Sequence, residues 1–204
     1  MDISLEQYLA LFSASMLAVG LLTPLMRLIA VRLNVVDSPD QSHKTHRTPI
    51  PYLGGVAIIL GVSGVTSFSL IIYSMSQANI ILALSLLLPA VSLGLIGLVD
   101  DIRNLSPWPR FVAQSVTGLL TAILLISTDT VGTPTGSKLV DALITIIWIV
   151  GVTNSINFFD NLDGGASGTV TLTSIALLFL ALQGEQYLIA AMAAVLAGAT
   201  LGFL

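Results

Sequence analysis

Seven apolar stretches, each long enough or nearly long enough to cross a lipid bilayer, leave this chain few folds to choose from. They lie near Leu5–Ala30, Gly54–Tyr73, Ile80–Val99, Phe111–Ile126, Leu139–Ile156, Ala166–Leu182 and Tyr187–Leu204. A helix needs about 20 apolar residues to cross ~30 Å of hydrocarbon at about 1.5 Å per residue, because no water is present there to satisfy the backbone. Composition agrees: 55% of the 204 residues are hydrophobic and 9% are charged, with a mean hydropathy of +0.97. Soluble domains carry about 25% charged residues. The expected fold is all-α, a polytopic transmembrane helical bundle of about seven spans, with residues 1–204 as one transmembrane domain. The first span is expected to be retained rather than cleaved, since Asp2 and Glu6 stand where a signal peptide would be basic and no A-x-A site follows. Without cysteine, disulfides and thiolate metal sites are excluded.

The seven Lys and Arg residues orient the bundle. Arg27, Arg32, Lys44 and Arg47 flank or occupy the first loop, Arg103 and Arg110 the third, and Lys138 alone falls elsewhere. Cytoplasmic loops carry the excess of cations, so loops one, three and five are expected inside and the amino terminus outside. These same loops collect the unusual polar sequence: "NVVDSPDQSHKTHRTPIPYLGG", "VDDIRNLSPWPR" and "NSINFFDNLDGGASG". The alternation points to one cytoplasmic site on a multi-pass protein of the inner, or plasma, membrane.

Asp100 and Asp101 end the third span, where the helix dipole favours cations and like charges repel. Either a hard cation such as Mg²⁺ or a neighbouring Arg103 or Arg110 would compensate them; a solvated loop end accounts for the dipeptide equally well. Loop five adds Asp160 and Asp163, with Asn154, Asn157 and Asn161 around them and Gly164-Gly165 behind. If the fifth helix continues through this segment, Asn157, Asp160 and Asn161 share a face at i, i+3 and i+4. Turn and cap formation explains one or two such residues, not five in so short a stretch. Loop one offers His43, Lys44, His46 and Arg47 to anionic oxygens, although a juxtamembrane basic cluster can also set topology or bind anionic lipid. Acids for a divalent cation and cations for phosphate, on one face, suit phosphoryl transfer at a membrane surface. Trp108 and Trp148 are expected to anchor at the headgroups.

Three stretches carry a family resemblance: "DSPDQSHKTHRTPIPYLGG" at Asp37–Gly55, "GLVDDIRNLSPWPRFVAQ" at Gly97–Gln114 and "NSINFFDNLDG" at Asn154–Gly164. In their order and span positions they resemble the polyprenyl-phosphate N-acetylhexosamine-1-phosphate transferases, membrane enzymes that begin peptidoglycan lipid, O-antigen, enterobacterial common antigen and teichoic acid linkage synthesis. The resemblance implies transfer of a sugar-1-phosphate from a UDP-N-acetylhexosamine to polyprenyl (undecaprenyl) phosphate, with Mg²⁺ or Mn²⁺ and release of UMP. It implies that Asp100 and Asp101 bind or deprotonate the lipid phosphate and, with Asp160, place the metal. Asn157 and Asp160 would belong to the catalytic centre, and Asn161 and Asp163 would contact the nucleotide. Lys44, His46, Arg47 and Arg110 would steady phosphates, Arg110 standing where the family often has lysine. The resemblance allows a homodimer and implies no nucleic-acid partner.

Departures accompany the likeness. Asn161 stands where many relatives have glycine and Gly165 where they have leucine. Family members usually continue to ten or eleven spans, with a later cytoplasmic loop bearing a further metal-binding aspartate and a His-rich loop. The chain is therefore expected to be the amino-terminal portion of such an architecture. Two alternatives stay open: a phospho-MurNAc-pentapeptide transferase of peptidoglycan synthesis, from which "PIPYLGG" leans away, and a truncated module that binds UDP-sugar without turnover.

Overall fold

A computed structural model describes residues 3–37, 50–128, 134–160 and 163–204. Among the described residues there are seven helices: α1 Leu5–Arg32, α2 Gly54–Ile72, α3 Gln77–Arg103, α4 Pro107–Ser127, α5 Lys138–Phe159, α6 Gly165–Gln183 and α7 Tyr187–Phe203. Six are long and apolar enough to cross a membrane, and the 17-residue α7 is the short one. A two-residue antiparallel pair, β1 Val36–Asp37 with β2 Ile50–Pro51, ties together the two ends of the first loop.

Each expected span has its helix, and several helices outrun the apolar stretch that announced them. The third was expected to stop at Val99 but continues to Arg103, and the fifth reaches Phe159 rather than Ile156. Hydropathy reports the hydrocarbon slab alone, whereas backbone hydrogen bonds continue as long as the φ and ψ angles permit. At ~1.5 Å per residue, the 27 residues of α3 are longer than ~30 Å of hydrocarbon requires, so its charged last turn falls at the membrane edge. Trp148 differs from expectation: it stands near the middle of α5, ten residues after Lys138, and is 70% exposed. That depth is far from a headgroup.

The hub of the bundle is α7, packed against α1, α6 and α2 and touching α3. Its buried face consists largely of small residues, including Ala190, Ala194, Ala197, Gly198 and Thr200. Lipid tails are as apolar as leucine, so helices in a membrane associate through close packing rather than hydrophobic burial, and small residues permit the closest approach. Gly198 and Gly202, four apart, face the backbone carbonyls of Phe12 and Met16 on α1 so closely that a Cβ at either position would overlap them. On the other flank, the hydroxyls of Thr171 on α6 and Thr200 hydrogen-bond at 2.8 Å. In contrast, α5 buries no residue and presents Leu143, Ile147 and Trp148 outward.

Candidate active site

The α3–α4 connection is a tight helical hairpin built by its sequence. Asn104 ends α3 in the left-handed conformation (φ 47°, ψ 61°), its N–H donating to the Asp100 carbonyl at 2.7 Å. Asparagine is among the few side chains that tolerate this region. Pro107 then opens α4, where a missing N–H costs nothing because the first turn has no intrahelical partner for it. The hairpin sets Arg110 beside Asp100: Nη1 donates to Oδ2 at 2.9 Å, with the carboxylate side chain only 13% exposed. An anion at a helix C-terminus and a cation at a helix N-terminus each oppose the local dipole. Paired across the hairpin, they offset each other.

The second connection runs from α5 to α6. Asp160 follows Phe159 as the C-cap of α5, its N–H donating to the Ile156 carbonyl. Asp163 precedes Gly164, whose φ of +68° favours glycine, and whose absent Cβ would lie 2.8 Å from Leu204 Cδ2 at the end of α7. A carboxylate just ahead of α6 sits where the helix dipole favours it.

Both connections open onto one cavity of about 810 Å³ at the same end of the bundle, walled by all helices from α2 to α7. Asp100 and Arg110 line one side; Asn157, Asp160 and Asp163 line another; Gly55, Ser167 and Phe203 contribute from α2, α6 and α7. Helix α5 extends through Asn157, so Asn157 and Asp160 are neighbours on consecutive turns. The floor is apolar, with Ile58, Ile96, Val170 and Leu196.

The expected site residues thus divide. Asp100, Arg110, Asn157, Asp160 and Asp163 come to one cavity. Asp101 is exposed in the last turn of α3 and does not line it. Lys44, His46, Arg47 and Asn161 lie outside the described residues. Gln114 also lines the cavity, 5% exposed, and accepts a hydrogen bond at Oε1 from Asn154 Nδ2 at 2.7 Å. A carboxamide inside an apolar span, one turn from Arg110, is the signal that marks it in sequence.

Among the described residues no three His, Asp or Glu side chains gather closely enough to hold a metal by themselves. The lining nevertheless fits a hard cation: three carboxylates and the Asn157 amide are all oxygen donors, and Asp100 commits only Oδ2 to Arg110. Mg²⁺ typically takes one or two protein carboxylates and completes its shell with water and phosphate.

The sequence profile of glycosyl transferase family 4 matches residues 82–204, a segment that includes every described carboxylate of the cavity. The chain belongs to glycosyl transferase family 4. It is 32% identical over 203 residues to the probable undecaprenyl-phosphate N-acetylglucosaminyl 1-phosphate transferase of Bacillus subtilis, covering 95% of this chain and 53% of the relative. It is 31% identical over 202 residues to the decaprenyl-phosphate N-acetylglucosaminephosphotransferase of Mycobacterium tuberculosis, covering 88% and 48%. It is also 30% identical over 212 residues to the phospho-N-acetylmuramoyl-pentapeptide-transferase of Bacillus licheniformis, covering 95% and 63%. The chain spans about half the length of the first two relatives. No solved structure matches it.

Proposed function

We propose that this protein transfers a sugar-1-phosphate, of the N-acetylhexosamine type, from a UDP-sugar to polyprenyl phosphate. The observation that carries the reading is the single cavity in which Asp100, Asp160 and Asp163 meet Arg110 and Asn157. The names of its family relatives support the substrate classes. In the reaction, an oxygen of the lipid phosphate bonds to the sugar-bearing phosphorus of the UDP-sugar. The bond from that phosphorus to the bridging oxygen breaks, and UMP leaves. Catalysis of this kind is mostly positioning and neutralisation of charge.

In this reading Arg110 and the basic residues Lys44, His46 and Arg47 hold phosphate oxygens. Asn157 orients the reacting groups by hydrogen bonding, and Asp163 contacts the nucleotide together with Asn161. A divalent cation would be held by Asp100 and Asp160, Asp101 lying outside the cavity lining, and when bound it would supply neutralisation of the diphosphate charge. The uncapped start of α6 adds backbone donors at Ala166 and Ser167, since helix N-termini suit anions. The cluster of cations on loops one and three supports a cytoplasmic site and an amino terminus outside.

The test is UMP release in membranes supplied with UDP-N-acetylglucosamine, polyprenyl phosphate and Mg²⁺. Release that vanishes in Asp100→Asn and in Asp160→Asn supports the assignment; release unaffected by both removes it. The similarity to a pentapeptide transferase favours one second reading, with the UDP-muramoyl-pentapeptide as donor, and the same assay run with that donor separates the two.

A further inference from the structure

Gln114 does more than line the cavity, because its amide is locked in one orientation. Asn154 Nδ2 donates to the Val150 carbonyl at 2.8 Å, which fixes the nitrogen end of the Asn154 carboxamide. Exchanging its oxygen and nitrogen would set two acceptors against each other. The same Nδ2 donates to Gln114 Oε1 at 2.7 Å. The oxygen of Gln114 is thereby turned toward α5, and its Nε2, with two N–H donors, has no acceptor among the described residues. The side chain is 95% buried, and its opening is the cavity.

A carboxamide nitrogen that opens onto the cavity, on a residue otherwise buried, is placed to donate to whatever fills that cavity. Arg110 stands four residues earlier on α4 and lines the same cavity, so α4 presents a cationic donor and a neutral donor on one face, one turn apart. Deeper in, the apolar floor of Ile58, Ile96 and Leu196 makes a second buried cation expensive, while strengthening a neutral N–H bond to an oxyanion.

We propose that Gln114 is a substrate-binding residue whose Nε2 donates to a phosphoryl oxygen, and that Asn154 is the positioning residue that turns the amide toward it. The inference rests on the phosphoryl-transfer reading of the cavity. The oxygen belongs either to the terminal phosphate of the lipid or to the diphosphate of the nucleotide sugar, two sources with the same chemistry.

Three variants isolate the donor. Gln114→Glu keeps an acceptor for Asn154 but loses both N–H groups. Gln114→Met removes acceptor and donor at similar volume. Asn154→Asp offers Gln114 an acceptor on the α5 side, so that the amide turns its nitrogen away from the cavity. Purified protein in nanodiscs is titrated with farnesyl phosphate, with UDP-N-acetylglucosamine, and with farnesol as the phosphate-free control, each with Mg²⁺, alongside melting curves. Each variant is expected to bind one of the two phosphorylated ligands about tenfold or more weakly than the wild type. Farnesol binding and melting temperature should stay unchanged, and the affected ligand identifies the source of the oxygen.

If Gln114→Glu binds both phosphorylated ligands within twofold of the wild type, the amide is only an interhelical clamp and the proposal is overturned. Losses of affinity that track melting temperature across all three variants overturn it too. A wild type whose binding depends on Gln114 but which releases no UMP contradicts the transfer reading alone. A wild type that turns over yet ignores Gln114→Glu contradicts this inference alone, and one that binds neither ligand contradicts both.

Discussion

The two ends of the bundle use their polar residues differently. At the end where α1, α3, α5 and α7 begin, those residues cap α1 and α3, while α5 and α7 start without a side-chain cap. Ser4 and Gln7 form a reciprocal capping box, and Ser76 accepts from the Asn79 N–H at 3.3 Å. The cavity there, about 480 Å³, is walled by Met75, Leu82, Leu125 and Leu188, with Glu185 as its one carboxylate among the described residues. At the other end α2, α4 and α6 all start without a side-chain cap, and Asp100 and Asp160 sit at helix C-termini against the dipole. The first end uses polar side chains for capping. The other gathers carboxylates and open backbone donors in one cavity, Asp100 being paired with Arg110, groups of the kind that a phosphorylated ligand and a cation would engage.

Substitutions at matched positions can break that contrast. The largest effects are expected at Asp100→Asn and Asp160→Asn, which should lower the rate of UMP release by about 10²–10³-fold, the usual consequence of removing one preorganised electrostatic group. Next comes Gly198→Val in the hub, whose side chain would overlap the Phe12 carbonyl and should cost about 1–3 kcal/mol in unfolding measurements. Arg110→Ala leaves Asp100 without its ion-pair partner and should reduce turnover about tenfold, whereas Arg110→Lys, which keeps the charge, should recover most of it. Ser76→Ala removes one cap and should cost about 1 kcal/mol of stability without altering turnover. The smallest effect is expected for Glu185→Gln, with UMP release indistinguishable from the wild type. A loss there comparable to that at Asp100 would erase the distinction between the ends.

The helices were legible in the sequence, because apolar run length reflects a bilayer directly. The meeting of loops three and five was legible only as a parity argument; the cavity that joins them also needs α2, α6 and α7, whose neighbours no periodicity specifies. The hub role of α7 had a signal, the Gly198–Gly202 spacing, but its partner surface at Phe12 and Met16 is a matter of three-dimensional packing. Gln114 was hidden for a similar reason: the sequence shows a carboxamide inside a span, and only the facing Asn154, 40 residues away, gives it an orientation. Trp148 went astray because an aromatic in a span was read as an anchor although its position is central.

The absence of cysteine makes the central claim directly measurable. Thr153→Cys would place a lone thiol in the wall of the larger cavity, and Asn79→Cys one in the cavity at the opposite end. Thiol labelling is timed with and without UDP-N-acetylglucosamine, polyprenyl phosphate and Mg²⁺. The account predicts that the substrates slow labelling of Thr153→Cys several-fold and leave Asn79→Cys unchanged; equal rates at Thr153→Cys, or protection confined to Asn79→Cys, would contradict it.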